Sequence, residues 1–121
     1  MIDDSGLGFP APSPRDLAEV PAVEVIATLA VHLMTAAAVQ LGLGDPDADG
    51  EIQSPDLDEA RKLITALAGL VTAAAPEIGS QHAAPLRDGL RTLQLAFRKA
   101  SAVPDPPGSA PGEQLTGPVL P

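Results

Sequence analysis

A chain of 121 residues with a formal net charge of −9 has room for one small domain and is too acidic to favour binding to nucleic acids or anionic membranes. It contains no cysteine, so no disulfide can stabilise a small secreted fold, and no tryptophan or tyrosine on which single-stranded nucleic acid would stack. The amino terminus lacks the basic start and apolar run of a signal peptide, and we therefore expect a cytoplasmic protein.

Proline and glycine are concentrated at the two ends of the chain. Residues 1–13 and 102–121 combine them with small and acidic residues, and such segments bury too little apolar surface to offset the entropy of ordering them. We predict disordered tails there, on either side of a helical domain over residues 14–101. No segment alternates apolar and polar residues as a half-buried strand does. The predicted fold class is therefore all-α, a small bundle of three main helices at about residues 21–43, 55–75 and 81–100.

The first predicted helix begins at Pro21, because proline suits a first turn in which its missing N–H would be unpaired. Its polar residues are few, and a helix that is apolar around most of its circumference is usually buried on several sides. It is long enough to span a bilayer, but Glu24, His32 and Gln40 interrupt it and no aromatic belt or basic flank marks its ends. We expect no membrane association. We predict instead a homo-oligomer, or another protein partner, that covers this helix.

The second predicted helix has clear start signals. Ser54 is a good cap, Pro55 suits the first turn, and the acidic residues that follow complement the positive end of the helix dipole. Apolar residues then repeat at steps of three and four, and Pro76 predicts an end near Ala75. The third predicted helix has a leucine-rich buried stripe and an outer face formed by Arg87, Arg91, Gln94 and Arg98.

The strings Pro21–Leu43, Asp56–Leu70 and Pro85–Arg98 together resemble the bacterial family called domain of unknown function 1844. The similarity covers about residues 14–101, and its most specific part is Leu41-Gly42, with the starts of the second and third helices. The family is small, helical and uncharacterised, so the resemblance implies no activity, cofactor or catalytic residue. Relatives encoded near translation initiation factor 3 imply one alternative, a translation-associated factor.

The segment between the first two predicted helices, residues 45–56, has the ligand spacing of an EF-hand calcium loop. Carboxylates fall at loop positions 1, 3, 5 and 12, and glycine falls at position 6. Position 12 is aspartate rather than glutamate and no second loop pairs with this one, so calcium would bind weakly, at about 10⁻⁴–10⁻³ M. The alternative interpretation is an acidic, solvated linker. The candidate metal ligands are Asp45, Asp47, Asp49, Glu51 and Asp56.

The third predicted helix is basic in an otherwise acidic chain. Its arginines Arg87, Arg91 and Arg98 suit a contact with ribosomal RNA phosphate or an acidic partner, and the alternative is a solvated helix face. No nucleophile with an adjacent base and no glycine-rich phosphate loop is present, so we expect no enzyme. The sequence favours a structural or protein-interaction module that self-associates. A calcium-binding module and a translation-associated factor are the alternatives.

Overall fold

Three long runs of helix-forming residues become three main helices in a computed structural model of the chain, which describes residues 17–43 and 54–120. Helix α1 spans Ala22–Gln40, α2 spans Leu57–Ile78 and α3 spans Ser80–Ala100. A single-turn helix, α4, follows at Glu113–Thr116. Within the described residues there is no strand, and the predicted all-α bundle of three main helices is confirmed.

Helix α2 begins later than its serine-proline pair suggests. Its N-cap is Asp56, whose Oδ1 accepts the backbone N–H of Glu59 at 3.2 Å. This hydrogen bond satisfies one of the donors that a helix start leaves unpaired. The backbone N–H of Asp56 also donates to the carbonyl of Gln40 at 2.7 Å, which joins the start of α2 to the end of α1.

The junction of α2 and α3 is a single glycine. Helix α2 continues past the expected end at Ala75 and through Pro76, because a proline in the last turn removes one backbone hydrogen bond and otherwise fits the helical φ. Gly79, at φ +85, then ends α2 and precedes the first residue of α3. A positive φ is unfavourable for residues with a Cβ, so glycine sets this sharp reversal.

The core lies where the three helices meet. Helix α1 packs on both α2 and α3 through small residues, and a Cβ at Gly89 would lie only 2.6 Å from the sulfur of Met34, so the glycine leaves room for the Met34 side chain between α1 and α3. Close approach increases dispersion contact between the helices. The buried apolar residues of the three helices are Ala30, Ala37, Leu41, Ala60, Ile64, Leu67, Ala68, Val71, Leu86, Leu90, Leu93 and Phe97.

Residues 102–120 differ from the disordered C-terminal tail that their composition predicts. This segment, the C-terminal strap, lies against the bundle, and Ala110, Glu113 and Val119 within it are buried. Proline restricts the unfolded chain as well as the folded one, so ordering a proline-rich segment costs less entropy than an unrestricted one. Buried polar contacts with α3 supply the binding energy that composition does not reveal. The predicted N-terminal tail at residues 1–13 lies outside the described residues.

Candidate functional site

An exposed apolar face runs along the side of α1 that points away from the bundle. This outer face of α1 consists of Thr28, Leu29, Val31, His32, Thr35, Ala36 and Val39. Leu29, Val31 and Val39 are 52%, 53% and 44% exposed, whereas Ala30 on the opposite side is completely buried. Glu24 is the only Asp, Glu, Lys or Arg between Pro21 and Leu43, and His32 is the one titratable side chain on the outer face. The outer face therefore presents apolar and small polar groups without a compensating charge.

Helix α1 also has the length and composition of a membrane-spanning helix. Its mean hydropathy is 1.9, and only 11% of the apolar window is buried inside the bundle. Helices of this kind near the amino terminus include signal sequences and core helices of soluble proteins, so length and hydropathy alone do not distinguish these roles. Among the described residues, only Ala30 and Ala37 of α1 are fully buried, and no described segment covers the outer face.

The structure describes only residues 54–56 of the predicted calcium loop. Asp45, Asp47, Asp49 and Glu51 lie outside the described residues, and Asp56 uses one carboxylate oxygen to cap α2. Over residues 17–43 and 54–120, no three His, Cys, Asp or Glu side chains are grouped so that they could hold a metal ion. Calcium binding by residues 45–56 therefore stays a prediction.

The three arginines predicted to form a basic contact surface have different surroundings. Arg98 Nε and Nη2 each donate to the Glu113 carboxylate at 2.7 Å, and its side chain is only 15% exposed. Arg91 Nη2 donates to the carbonyl of Leu120 at 3.0 Å. Arg87 lies at the edge of a cleft between α3 and the strap. Contact with RNA phosphate stays a prediction, but Arg98 is already paired within the chain.

The Glu113 carboxylate anchors the strap to α3. Besides its two bonds from Arg98, it accepts the backbone N–H of Gly108 at 2.8 Å, and its residue is 1% exposed. The hydrogen bond from Arg98 holds the pKa of Glu113 below its ordinary value, although burial opposes this shift. The same hydrogen bond raises the pKa of Arg98. The pair is therefore ionised at neutral pH, and none of its buried polar side-chain atoms lacks a hydrogen-bond partner.

A second buried contact fixes the backbone of the strap. Gln94 is 2% exposed, and its Nε2 donates to the carbonyl of Pro111 at 3.1 Å and to Oγ1 of Thr116 at 3.2 Å. Sequence reasoning placed Gln94 on a solvated face and Glu113 in a disordered tail, and so missed both. The available signal was the spacing of Gln94 and Arg98, one turn apart on α3, combined with two carboxylates, Asp105 and Glu113, in a proline-rich segment without basic residues.

Residues 22–99 match the family described as Domain of unknown function (DUF1844). The chain belongs to this family. The DUF1844 match begins at the start of α1 and ends within α3, so it contains the three main helices and excludes the strap. No curated protein matches the chain. No solved structure matches it either. The resemblance to DUF1844 noted in the sequence is confirmed, and it assigns no activity to the outer face of α1 or to the strap.

Proposed function

We propose that this chain is a protein-interaction module that self-associates through the outer face of α1. The observation that carries the proposal is the exposure of Leu29, Val31 and Val39 on a helix whose other side belongs to the core. Contiguous apolar surface of this kind is a common mark of a protein–protein contact. The module acts by assembling copies of itself, and no step of chemistry is assigned to it.

A second copy suits this face because the face complements itself. Most soluble homo-oligomers are two-fold symmetric, and a two-fold axis places the same patch of each copy against the other. The outer face lacks formal charge from Val25 to Leu43, so such a pairing brings no like charges together along the helix. The small side chains of Thr28, Thr35 and Ala36 would let two helices approach closely.

A lipid partner is less consistent with the same helix. A membrane-spanning α1 would have to withdraw Ala30, Ala37 and Leu41 from the core, where they pack against α2 and α3. Helices that lie on a membrane surface usually carry lysine or arginine on their polar face, and the sequence has neither over residues 17–43. Burial against a second copy keeps the core intact and covers the outer face.

The test introduces a charge on the outer face of α1 and measures the mass of the protein particle in solution. At micromolar concentration, light scattering should give the dimer mass for the unmodified chain and the monomer mass for Val31→Glu, because the contact would bury an unpaired carboxylate. The matched control is Val103→Glu, the same change at a position that is 85% exposed and outside the helices, and it should remain dimeric. Circular dichroism should show the same helical content in all three proteins.

Two outcomes would reject the proposal. A monomer mass for the unmodified chain up to high micromolar concentration would show that the outer face does not pair with itself. Flotation of the unmodified chain with neutral phosphatidylcholine vesicles, lost in Val31→Glu and retained in Val103→Glu, would instead assign the face to lipid.

A further inference from the structure

We propose that the surface of α2 and α3 beneath the C-terminal strap is a peptide-binding site, and that the strap is the ligand that occupies it within the same chain. The peptide that fits is a proline- and glycine-containing segment of a partner protein with a glycine–glutamate pair, as in Pro111, Gly112 and Glu113. This site lies on different helices from the outer face of α1, and the inference does not depend on self-association.

Recognition of the glutamate is the first argument. Arg98 presents a planar fork that matches the two oxygens of a carboxylate, and both of its hydrogen bonds to Glu113 are 2.7 Å long. The rest of the coordination comes from the strap itself, through the N–H of Gly108 at 2.8 Å and the backbone of Val119. The bundle therefore supplies one cation, and the segment folds around its own carboxylate to meet it.

Recognition of the backbone and of the glycine is the second argument. Gln94 donates to the carbonyl of Pro111, a contact that any peptide of the same backbone shape provides. Gly112 has φ +79, and a Cβ there would lie 2.8 Å from the Cβ of Ala68 and 3.0 Å from Nε2 of Gln94. The Ala68 Cβ is fixed to helix α2 and cannot move aside. The site therefore selects glycine immediately before the glutamate.

The attachment of the strap is the third argument. Ala102, Val103 and Pro104 are exposed, and Val103 is one of the most exposed apolar side chains among the described residues. Side-chain contacts between strap and bundle begin at Asp105, which accepts from Arg61 at 3.0 Å. The family match ends at residue 99, so Ala68, Gln94 and Arg98 belong to the matched domain and their occupant does not.

The strap also leaves part of the site unfilled. A cleft of about 410 Å³ lies between the apolar side chains of Val71 and Leu90 on the bundle and those of Leu115 and Val119 on the strap, with Arg87 at its edge. A partner peptide with a larger apolar residue near the position of Val119 would fill more of this cleft. A ligand on a short tether has an effective concentration of about 1 mM, so such a peptide must compete with the strap or wait for its release.

The experiment releases the strap without shortening the chain beforehand. A protease recognition sequence replaces the exposed linker at residues 102–104, and the cleaved chain is mixed with a fluorescent synthetic peptide of residues 105–121. Fluorescence anisotropy should show binding to the cleaved chain and at least tenfold weaker binding to the uncleaved one. Peptides carrying Glu113→Gln or Gly112→Ala should bind at least tenfold more weakly. The control peptide carries Gln114→Ala, an exposed position beside the glutamate, and should bind like the unmodified peptide.

Three results would overturn the inference. Loss of the helical circular dichroism signal on cleavage would make the strap a part of the core rather than a ligand. Equal affinity of the Glu113→Gln and unmodified peptides would remove the role of Arg98 in recognition. Equal binding to cleaved and uncleaved chains would place the peptide elsewhere on the surface.

Discussion

Helices α1 and α3 have similar lengths, 19 and 21 residues. The burial of their outward sides is the reverse of what the polarity of those sides would predict. The apolar outer face of α1 is exposed, whereas the polar outward side of α3, with Gln94 and Arg98, is covered by the strap. Apolar character therefore does not decide which face this chain covers. Coverage of α3 depends on a few directional contacts made by its own strap, whereas no segment among the described residues covers the outer face of α1.

The largest expected loss of stability comes from placing a charge on the buried side of α1 rather than on its exposed side. Ala37→Glu would bury a carboxylate without a partner at a position that is 0% exposed, and should lower the free energy of unfolding by at least about 4 kcal/mol. Thr35→Glu adds the same charge on the outer face and should leave the monomer folded. The helical circular dichroism signal at 25 °C should be lost in Ala37→Glu and kept in Thr35→Glu. A folded Ala37→Glu protein would contradict the inner position of this residue.

The covered side of α3 should respond to a change in the strap. Glu113→Gln keeps the side-chain shape but removes the charge that Arg98 contacts, and should lower the free energy of unfolding by about 2 kcal/mol. Urea unfolding measures the loss. Glu77→Gln, the same substitution at an exposed position, serves as the control and should change stability by less than about 0.5 kcal/mol. Equal values for the two variants would mean that the charge of Glu113 adds nothing to stability.

The same pair makes the strap sensitive to acid. The pKa of Glu113 is lowered in the folded protein, so its stabilising contribution is complete above the ordinary carboxyl pKa. The contribution is lost as the pH falls from that ordinary value through the lowered folded pKa. The stability difference between the unmodified chain and Glu113→Gln should therefore shrink on acidification. Urea titrations from pH 7 downwards measure it, and a difference that stays constant at every pH would contradict the assignment.

The smallest expected effect concerns the start of α2. Asp56→Ala removes the side-chain cap on Glu59 and should cost about 1 kcal/mol of stability. Ser54→Ala alters the residue that the sequence pattern favours as the cap, and it should have no measurable effect. Thermal unfolding of the two variants shows whether Asp56 or Ser54 caps α2. A larger loss of stability in Ser54→Ala than in Asp56→Ala would identify Ser54 as the cap, as the sequence pattern predicts.

The sequence predicted the three main helices because each has its own periodic apolar positions, as with Leu86, Leu90 and Leu93 on α3. Local signals placed helix ends less well, since both Ser54 and Asp56 can cap a helix and tertiary contacts decide between them. The strap was missed because Glu113 meets Arg98 across 15 positions of sequence. Composition describes the entropy that a segment loses on ordering, but it carries no information about one distant partner.

The apolar excess of α1 was visible in the sequence, but the amount of coverage was not. Periodicity identifies which residues of one helix share a face, and Ala30 and Ala37 do lie on the buried side. How much of the remaining circumference is covered depends on the number and placement of neighbours. With α2 and α3 on one side, residues such as Val31 stay exposed.

The hydrogen bond from the backbone of Asp56 to the carbonyl of Gln40 has a practical consequence for engineering. It holds the ends of the connection between α1 and α2 together, so added residues between positions 44 and 53 need not change the distance that the connection bridges. The free-energy cost of closing a loop rises slowly with the length of the loop, by about 0.6 kcal/mol for each doubling. This connection is therefore a suitable place to graft an epitope or a fluorescent reporter while the bundle and its strap keep their packing.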